Sequence, residues 1–322
     1  MKFLTLVLLL FSFSSLALTE VVKDFDRSKC SEFFIPSPNK KTAITPTIFK
    51  GYQFKQICQH WNNRYRFATL YDTERRIPVY SAYTFSGHRE IVNLSLSESI
   101  RNEEWKNEPQ LENSRNGPDM KKISDAEMDE CFHQAVDRDY KESSKYTNIA
   151  YTRGHVFPRQ YAADEDQADS TFTFTNVAPQ TQHSNGKWAE QVETPMMREI
   201  ETKCRPNRSK PAYIVTGVVP GNKWIAITKK GKNKPKIFDQ GVNIPSYYWT
   251  AFCCNINKNE RFSKAYLARQ NEPNDKTYEL SEMSVNMLNA HLTRLYKQDF
   301  SVFGGLCLTS HRPSSFPLTR IL

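Results

Sequence analysis

The sequence predicts an α+β fold: an antiparallel sheet core flanked by helices. Three observations predict it. Strand-like apolar runs outnumber helical ones. They follow one another without a regular strand–helix–strand alternation. Two stretches, near residues 186–200 and 285–296, carry the four-residue apolar period of a one-sided helix.

The elements follow in order. Met1-Lys2 and the apolar residues 3–17 have the layout of a signal peptide. Ser15 and Ala17 fit the small-x-small cleavage rule, which places the cut after Ala17. The run is shorter than the roughly 20 residues a spanning helix needs, and no later run reaches that length. The expectation is an exported chain, with residues 18–322 as a single domain. Residues 76–85 (RIPVYSAYTF) read as a strand, and residues 93–130 as an exposed polar insertion. Residues 171–178 (TFTFTNVA) alternate as a half-buried strand does. From Gly186 a helix is expected, with Trp188, Val192, Met196 and Ile200 on one face and Pro195 kinking it. Residues 212–219, 247–254 and 262–267 read as strands, with a basic loop at residues 229–236 (KKGKNKPK) between the first two. Val285, Leu288, Leu292, Leu295 and Tyr296 form the apolar face of a last helix, with Ser281 as its candidate N-cap.

Composition narrows the function classes. The 39% hydrophobic content supports a packed core and argues against chain-wide disorder. The formal charge of +9 points to an anionic partner, and +8 remains once Lys2 leaves with the leader. In an oxidising compartment Cys30, Cys58, Cys131, Cys204, Cys253, Cys254 and Cys307 allow up to three bridges and one thiol over. Their connectivity stays open, and the adjacent Cys253 and Cys254 are expected to have separate fates. Without C-x-x-C spacing a structural zinc site is not expected. Sequons at Asn93 (Asn-Leu-Ser) and Asn207 (Asn-Arg-Ser) are glycosylation candidates.

The chemistry concentrates in one block: Arg153-Gly154-His155, then Asn176 within Thr-Asn-Val-Ala-Pro-Gln, then Asn185, Trp188 and Glu193. Phosphodiester hydrolysis needs a base to take a proton from water, which a neutral histidine does. It needs a hard cation held by oxygen ligands, and cationic donors for the phosphate oxygens. His155, Asn185 with Glu193, and Arg153 supply these types within a short span. Taken singly, each has a plainer use. His155 could be a satisfied structural histidine, Asn185 a helix N-cap, Arg153 a surface ion pair and Trp188 core packing.

As an ordered set the residues resemble the DNA/RNA non-specific endonucleases of the ββα-metal (His-Me finger) class. Their signature is Asp-Arg-Gly-His, an Asn-x-x-Pro-Gln strand end, and a helix opening on a metal-ligand Asn with Trp three and Glu eight residues on. Asn185, Trp188 and Glu193 match that spacing. The resemblance implies His155 as general base and Asn185 as the direct protein ligand of Mg²⁺ or Mn²⁺. Glu193 would hold the metal through water, and Arg153 would contact phosphate. Asn176 would position His155 or the phosphate-side network, and Arg101, four residues before Trp105, would be a second phosphate contact. The implied substrates are DNA and RNA. One position departs: Thr152 stands where the family has Asp. Two functions therefore stay open, a metal-dependent endonuclease and a non-catalytic binding protein on the same fold. A phosphodiesterase acting on a non-nucleic substrate is a third.

Overall fold

The computed structural model describes residues 20–26, 28–39, 41–87, 104–231, 234–257, 260–271 and 278–308. The expected signal peptide, Asn93 and Arg101 lie outside these residues. Eight strands form one sheet, in the order Val21–Val22, Phe54–Trp61, Arg64–Asp72, Ile77–Phe85, Ala212–Val219, Tyr247–Asn255, Arg261–Arg269 and Leu280–Met283. Every neighbouring pair is antiparallel. The two middle strands, Ile77–Phe85 and Ala212–Val219, are adjacent in space but far apart in sequence. The long connection between them carries the candidate site.

Successive strand side chains point to opposite faces, and here both faces are covered. Ile214 joins Tyr83, Trp188, Ile200 and Tyr248 on one side, while Val215 joins Tyr80, Trp249, Leu288 and Leu292 on the other. Sandwiching between two cores explains why the strands read as unbroken apolar runs. It also separates the adjacent cysteines. Cys254 bonds to Cys204 at the end of helix Thr194–Cys204, and Cys253 bonds to Cys307 in the C-terminal segment. Cys30–Cys58 staples the N-terminal segment to the sheet, and among the described residues Cys131 is the free thiol. The bridges join residues 28, 50 and 54 positions apart. Loops of that length restrict the unfolded chain by about 4 kcal/mol each on the chain-entropy account.

Several expectations change. Residues 171–178 are not a half-buried strand. The chain passes through a 3₁₀ turn at Phe174–Asn176 into the short strand Val177–Gln180, and the whole stretch is buried. The alternation Thr-Phe-Thr-Phe arises because the threonines also face inward, into hydrogen bonds. Thr173 and Thr175 hydroxyls both donate to Glu108 Oε1 at 2.9 Å. The polar insertion is exposed over most of residues 113–130, but its stretch at residues 106–111 is largely buried. Lys106, Asn107, Glu108 and Gln110 are buried, and most of their polar atoms find partners inside the protein, Glu108 Oε2 being an exception. Asn107 Nδ2, for example, donates to Gln134 Oε1 at 3.0 Å and to the Ala135 carbonyl at 2.8 Å. The basic segment is the tip of the hairpin Lys223–Lys229 and Lys236–Ile244, and Lys229 is fully buried with Nζ 3.7 Å from Asp139. The last helix is Val285–Tyr296. Its N-cap is Ser284, which accepts from the Met287 amide, while Ser281 belongs to the strand before it.

Candidate active site

Strand Thr152–His155 pairs antiparallel with Val177–Gln180, and helix Gln182–Trp188 follows at once. This is the expected ββα unit. Its helix starts earlier than Asn185, because Thr181 is the N-cap and accepts from the Ser184 amide at 3.1 Å. Asn271 locks that start. Its Oδ1 accepts from the Thr181 amide at 2.8 Å, and its own amide donates to Ser184 Oγ at 2.9 Å. The hairpin sits on the sheet through Tyr248, whose hydroxyl lies 3.1 Å from both the Gly154 and Ala178 carbonyls. That approach requires glycine. A Cβ at residue 154 would stand 2.0 Å from Gln180 Oε1 and 2.7 Å from the Tyr248 hydroxyl.

Thr152 and Asn185 meet directly. The Thr152 hydroxyl donates its single hydrogen to the Gln180 carbonyl at 2.9 Å. It can therefore only accept from Asn185, whose Nδ2 lies 3.2 Å away. This assigns the amide orientation and leaves Asn185 Oδ1 as the uncommitted oxygen.

His155 ends the same strand and packs against Phe172 and Trp105, with ring centroids at 5.2 and 5.6 Å. Burial pushes its pKa down to about 4. A hydrogen bond to the Arg153 backbone pulls the other way, and the charges of Arg159 and Arg153 reinforce burial. The ring is therefore neutral near pH 7. With the Arg153 backbone taking the other ring position, Nε2 keeps its lone pair, and it has no hydrogen-bond partner. Asn176 is fully buried and holds this region. Its Oδ1 accepts from Ser81 Oγ at 3.0 Å and the Phe157 amide at 2.9 Å. Its Nδ2 donates to the Phe157 and Thr171 carbonyls at 3.0 and 3.1 Å. Its backbone carbonyl accepts from the Val156 amide at 2.8 Å. With its amide fully engaged, Asn176 positions the chain leaving His155 and has nothing left for a phosphate.

Glu193 closes a π turn, Ala189–Glu193, in which the Thr194 amide reaches back to the Ala189 carbonyl. Pro195 explains it. Proline lacks the amide for the regular ladder and crowds the preceding turn. The expected kink is taken up as this wider turn, and Trp188, Val192, Met196 and Ile200 still reach the core. Glu193 is buried, and burial pushes its carboxyl up to about 8, against a hydrogen bond from Gln160. Gln160 Nε2 lies 3.1 Å from Glu193 Oε2, and the Tyr161 hydroxyl donates to the Glu193 carbonyl at 2.6 Å.

Arg153 is engaged elsewhere. Its guanidinium pairs with Asp137 and lies 5.0, 5.6 and 5.9 Å from the rings of Trp105, Tyr140 and Phe174. Asn207 is exposed on a turn in which its Oδ1 accepts from Ser209 Oγ at 2.7 Å.

Sequence reasoning missed the supporting residues. Gln160, Tyr161 and Asn271 lie outside the signature and carry no spacing signal. At Thr152 the sequence shows only that a threonine replaces the family's Asp; that its hydroxyl joins the Gln180 carbonyl to Asn185 is visible only in the fold. Among the described residues no group of three or more His, Cys, Asp or Glu could hold a metal ion. An ion here would depend on Asn185 Oδ1, with Glu193 in support and most of its oxygens from water and substrate. Such hard oxygen donors fit Mg²⁺ or Mn²⁺.

A model of the DNA/RNA non-specific endonuclease family matches residues 46–296. Endonuclease domain-containing 1 protein of Homo sapiens is 31% identical over 233 residues, covering 71% of this chain and 39% of that protein. Its Mus musculus counterpart is 28% identical over 207 residues, covering 62% and 35% respectively. The chain thus spans well under half the length of these curated relatives. A chain from "Crystal structure of the EndoG/EndoGI complex: Mechanism of EndoG inhibition" superposes with a TM-score of 0.47 at 15% identity, over 77% of this chain and 87% of that one. By its family match over most of its length, the chain belongs to the DNA/RNA non-specific endonucleases.

Proposed function

We propose that this protein is an exported, metal-dependent endonuclease that hydrolyses phosphodiester bonds of DNA and RNA with little sequence preference. One observation carries the reading. A single ββα unit holds a neutral His155 with an unpartnered Nε2 and an Asn185 whose Oδ1 is left uncommitted by Thr152. His155 Nε2 takes a proton from water as that water attacks phosphorus in line, and the bond to the leaving oxygen breaks. Asn185 Oδ1 would be the direct protein ligand for Mg²⁺ or Mn²⁺, with Glu193 supporting it through water. When bound, the ion supplies positive charge to the phosphate and the leaving oxygen. Gln160 and Tyr161 hold Glu193 in place, and Asn176 fixes the backbone behind His155. Residues 18–322 form one catalytic domain, since both hydrophobic cores are faces of the same sheet.

Export is supported by the leader-like residues 1–17 and by three disulfides. Among the described residues no helix is long and apolar enough to cross a membrane. Asn207, exposed in a sequon, is a glycosylation site on this reading, and Asn93 is the second candidate.

The test is incubation of the mature protein with plasmid and with RNA, with Mg²⁺, Mn²⁺ or EDTA, beside His155→Ala. Cleavage is expected from the unmodified protein with metal only. Equal survival of substrate with both proteins removes the enzyme reading, and EDTA-resistant cleavage removes the metal. Thr152 favours a second reading, a nuclease fold kept for binding. Nucleic-acid binding without any cleavage would select it.

A further inference from the structure

We infer that Arg159, outside the family signature, is the cation that holds the scissile phosphate beside His155, and that Arg153 of the Arg-Gly-His triplet is not. This rests on the nuclease reading above and names a residue for its phosphate.

Arg153 has its charge met already. Asp137 pairs with it and also with Lys141 at 2.5 Å, and three aromatic rings surround the guanidinium. Turning toward a phosphate would break that ion pair, leaving Asp137 with Lys141 alone, and draw the guanidinium away from its three rings. Arg159 is in the opposite condition. It is half-buried, and among the described residues its guanidinium has no hydrogen-bond or ion-pair partner. It stands four residues after His155 and opens the turn Arg159–Tyr161. That turn is pinned: Tyr161 is fully buried, and Gln160 and Tyr161 both bond to Glu193. The guanidinium therefore leaves a rigid segment linking His155 to Glu193. Its charge acts on the His155 ring more strongly than that of Arg153, although Arg153 shares the histidine's own strand. The other facing charge is Asp169, which is exposed and feels Arg159 without bonding to it. A planar fork of five donors, partly dehydrated and lacking an acceptor, suits two oxygens of one phosphate.

The experiment measures binding and cleavage separately. A short fluorescent phosphorothioate oligonucleotide is titrated by anisotropy in EDTA at several salt concentrations. The proteins are wild type, Arg159→Gln, Arg159→Lys and Arg153→Gln. Arg159→Gln is expected to weaken binding roughly tenfold. It should also lower the salt slope by about one, the signature of a single lost phosphate contact. Arg159→Lys should restore the slope, and neither change should move Tm, because the guanidinium has no protein partner. Arg153→Gln should lower Tm and leave the slope unchanged. The assignment is overturned if Arg159→Gln keeps the wild-type slope, or if Arg153→Gln loses a unit of slope at unchanged Tm. A wild type that binds without cleaving removes the nuclease reading while the slopes still decide the contact. A wild type that does not bind the oligonucleotide removes both.

Discussion

Replacing Asn176 should be among the most damaging single changes in this fold, although it is expected to touch neither substrate nor metal. Its buried amide makes four hydrogen bonds, to Ser81 Oγ, the Phe157 amide, the Phe157 carbonyl and the Thr171 carbonyl. Asn176→Ala leaves the Phe157 amide and two carbonyls without these partners. Ser81 can turn to Thr69, whose hydroxyl lies 2.9 Å away. A stranded buried donor costs about 1–3 kcal/mol and a lost neutral hydrogen bond about 1 kcal/mol. With the small void added, the loss is roughly 4 kcal/mol. Denaturant unfolding with disulfides intact measures it as a lower midpoint at unchanged slope. Asn176→Asp sharpens the test. It keeps the two accepted bonds but sets an oxygen against the Phe157 and Thr171 carbonyls. Burial favours its protonated form in the folded state, while the unfolded carboxyl titrates near about 3.9. A raised folded pKa means stability that is present at acid pH and lost as pH rises. The deficit of Asn176→Asp relative to wild type should therefore shrink near about pH 4 and grow toward neutrality. A loss under about 1 kcal/mol for Asn176→Ala, or a pH-independent deficit for Asn176→Asp, would refute the role given to this side chain.

Four further outcomes follow from the site. The His155 ring should titrate near 4 by NMR, so the stability it contributes is full above its unfolded value and is lost as pH falls through about 4. A ring that titrates at the ordinary value of about 6.5 would show it is solvated. Thr152→Val should weaken Mn²⁺ binding by calorimetry roughly tenfold while Thr152→Ser retains it, since only the hydroxyl holds the Asn185 amide; equal affinities would dismiss that hydrogen bond. Because burial raises Glu193 to about 8, ion binding should release a proton and tighten as pH rises toward that value. Without metal this carboxyl stabilises the fold at acid pH and loses that contribution as pH rises through about 8. A Glu193→Gln variant with the same pH dependence of binding would disprove the linkage. Gly154→Ala places its methyl carbon 2.0 Å from Gln180 Oε1, and should cost about 1–3 kcal/mol in thermal or denaturant unfolding. A neutral effect would mean the hairpin is not fixed on the sheet through Tyr248.

Much of this could be read from the chain because its signals are local. The span Ala212–Val219 coincides with an expected strand, since an apolar β-branched run has few other uses between two cores. The face of Trp188, Val192, Met196 and Ile200 survives because the π turn absorbs the proline without dropping a core position. Failures cluster where polar residues were read as solvent-facing. Asn107, Glu108 and Gln110, and Thr173 with Thr175, are polar and buried because most of their hydrogen bonds are met by residues far off in sequence or by one another. No periodicity encodes such pairing. Ser281 lost the cap to Ser284 for a similar reason: the edge of the sheet claims residues Leu280–Met283 first. At the site, residue types and spacing marked His155, Asn185 and Glu193, but not which cation is free. Asp137, which neutralises Arg153, lies sixteen residues upstream of it in sequence.

The departure at Thr152 bears differently on the two functional readings once its bonds are known. As a missing carboxylate it subtracts charge from the site and favours a binding protein. As a hydroxyl between the Gln180 carbonyl and Asn185, it orients the amide so that an oxygen is left for a cation. An aspartate here would still accept from Asn185 Nδ2, but it could not donate to the Gln180 carbonyl. Thr152→Asp should therefore raise the rate of cleavage, by adding negative charge near the ion, and lower stability by about 1–2 kcal/mol, by leaving that carbonyl without its donor. A faster and less stable variant would mean that threonine trades activity for order in a working site. A variant with no gain in rate would show that charge at this position is not limiting.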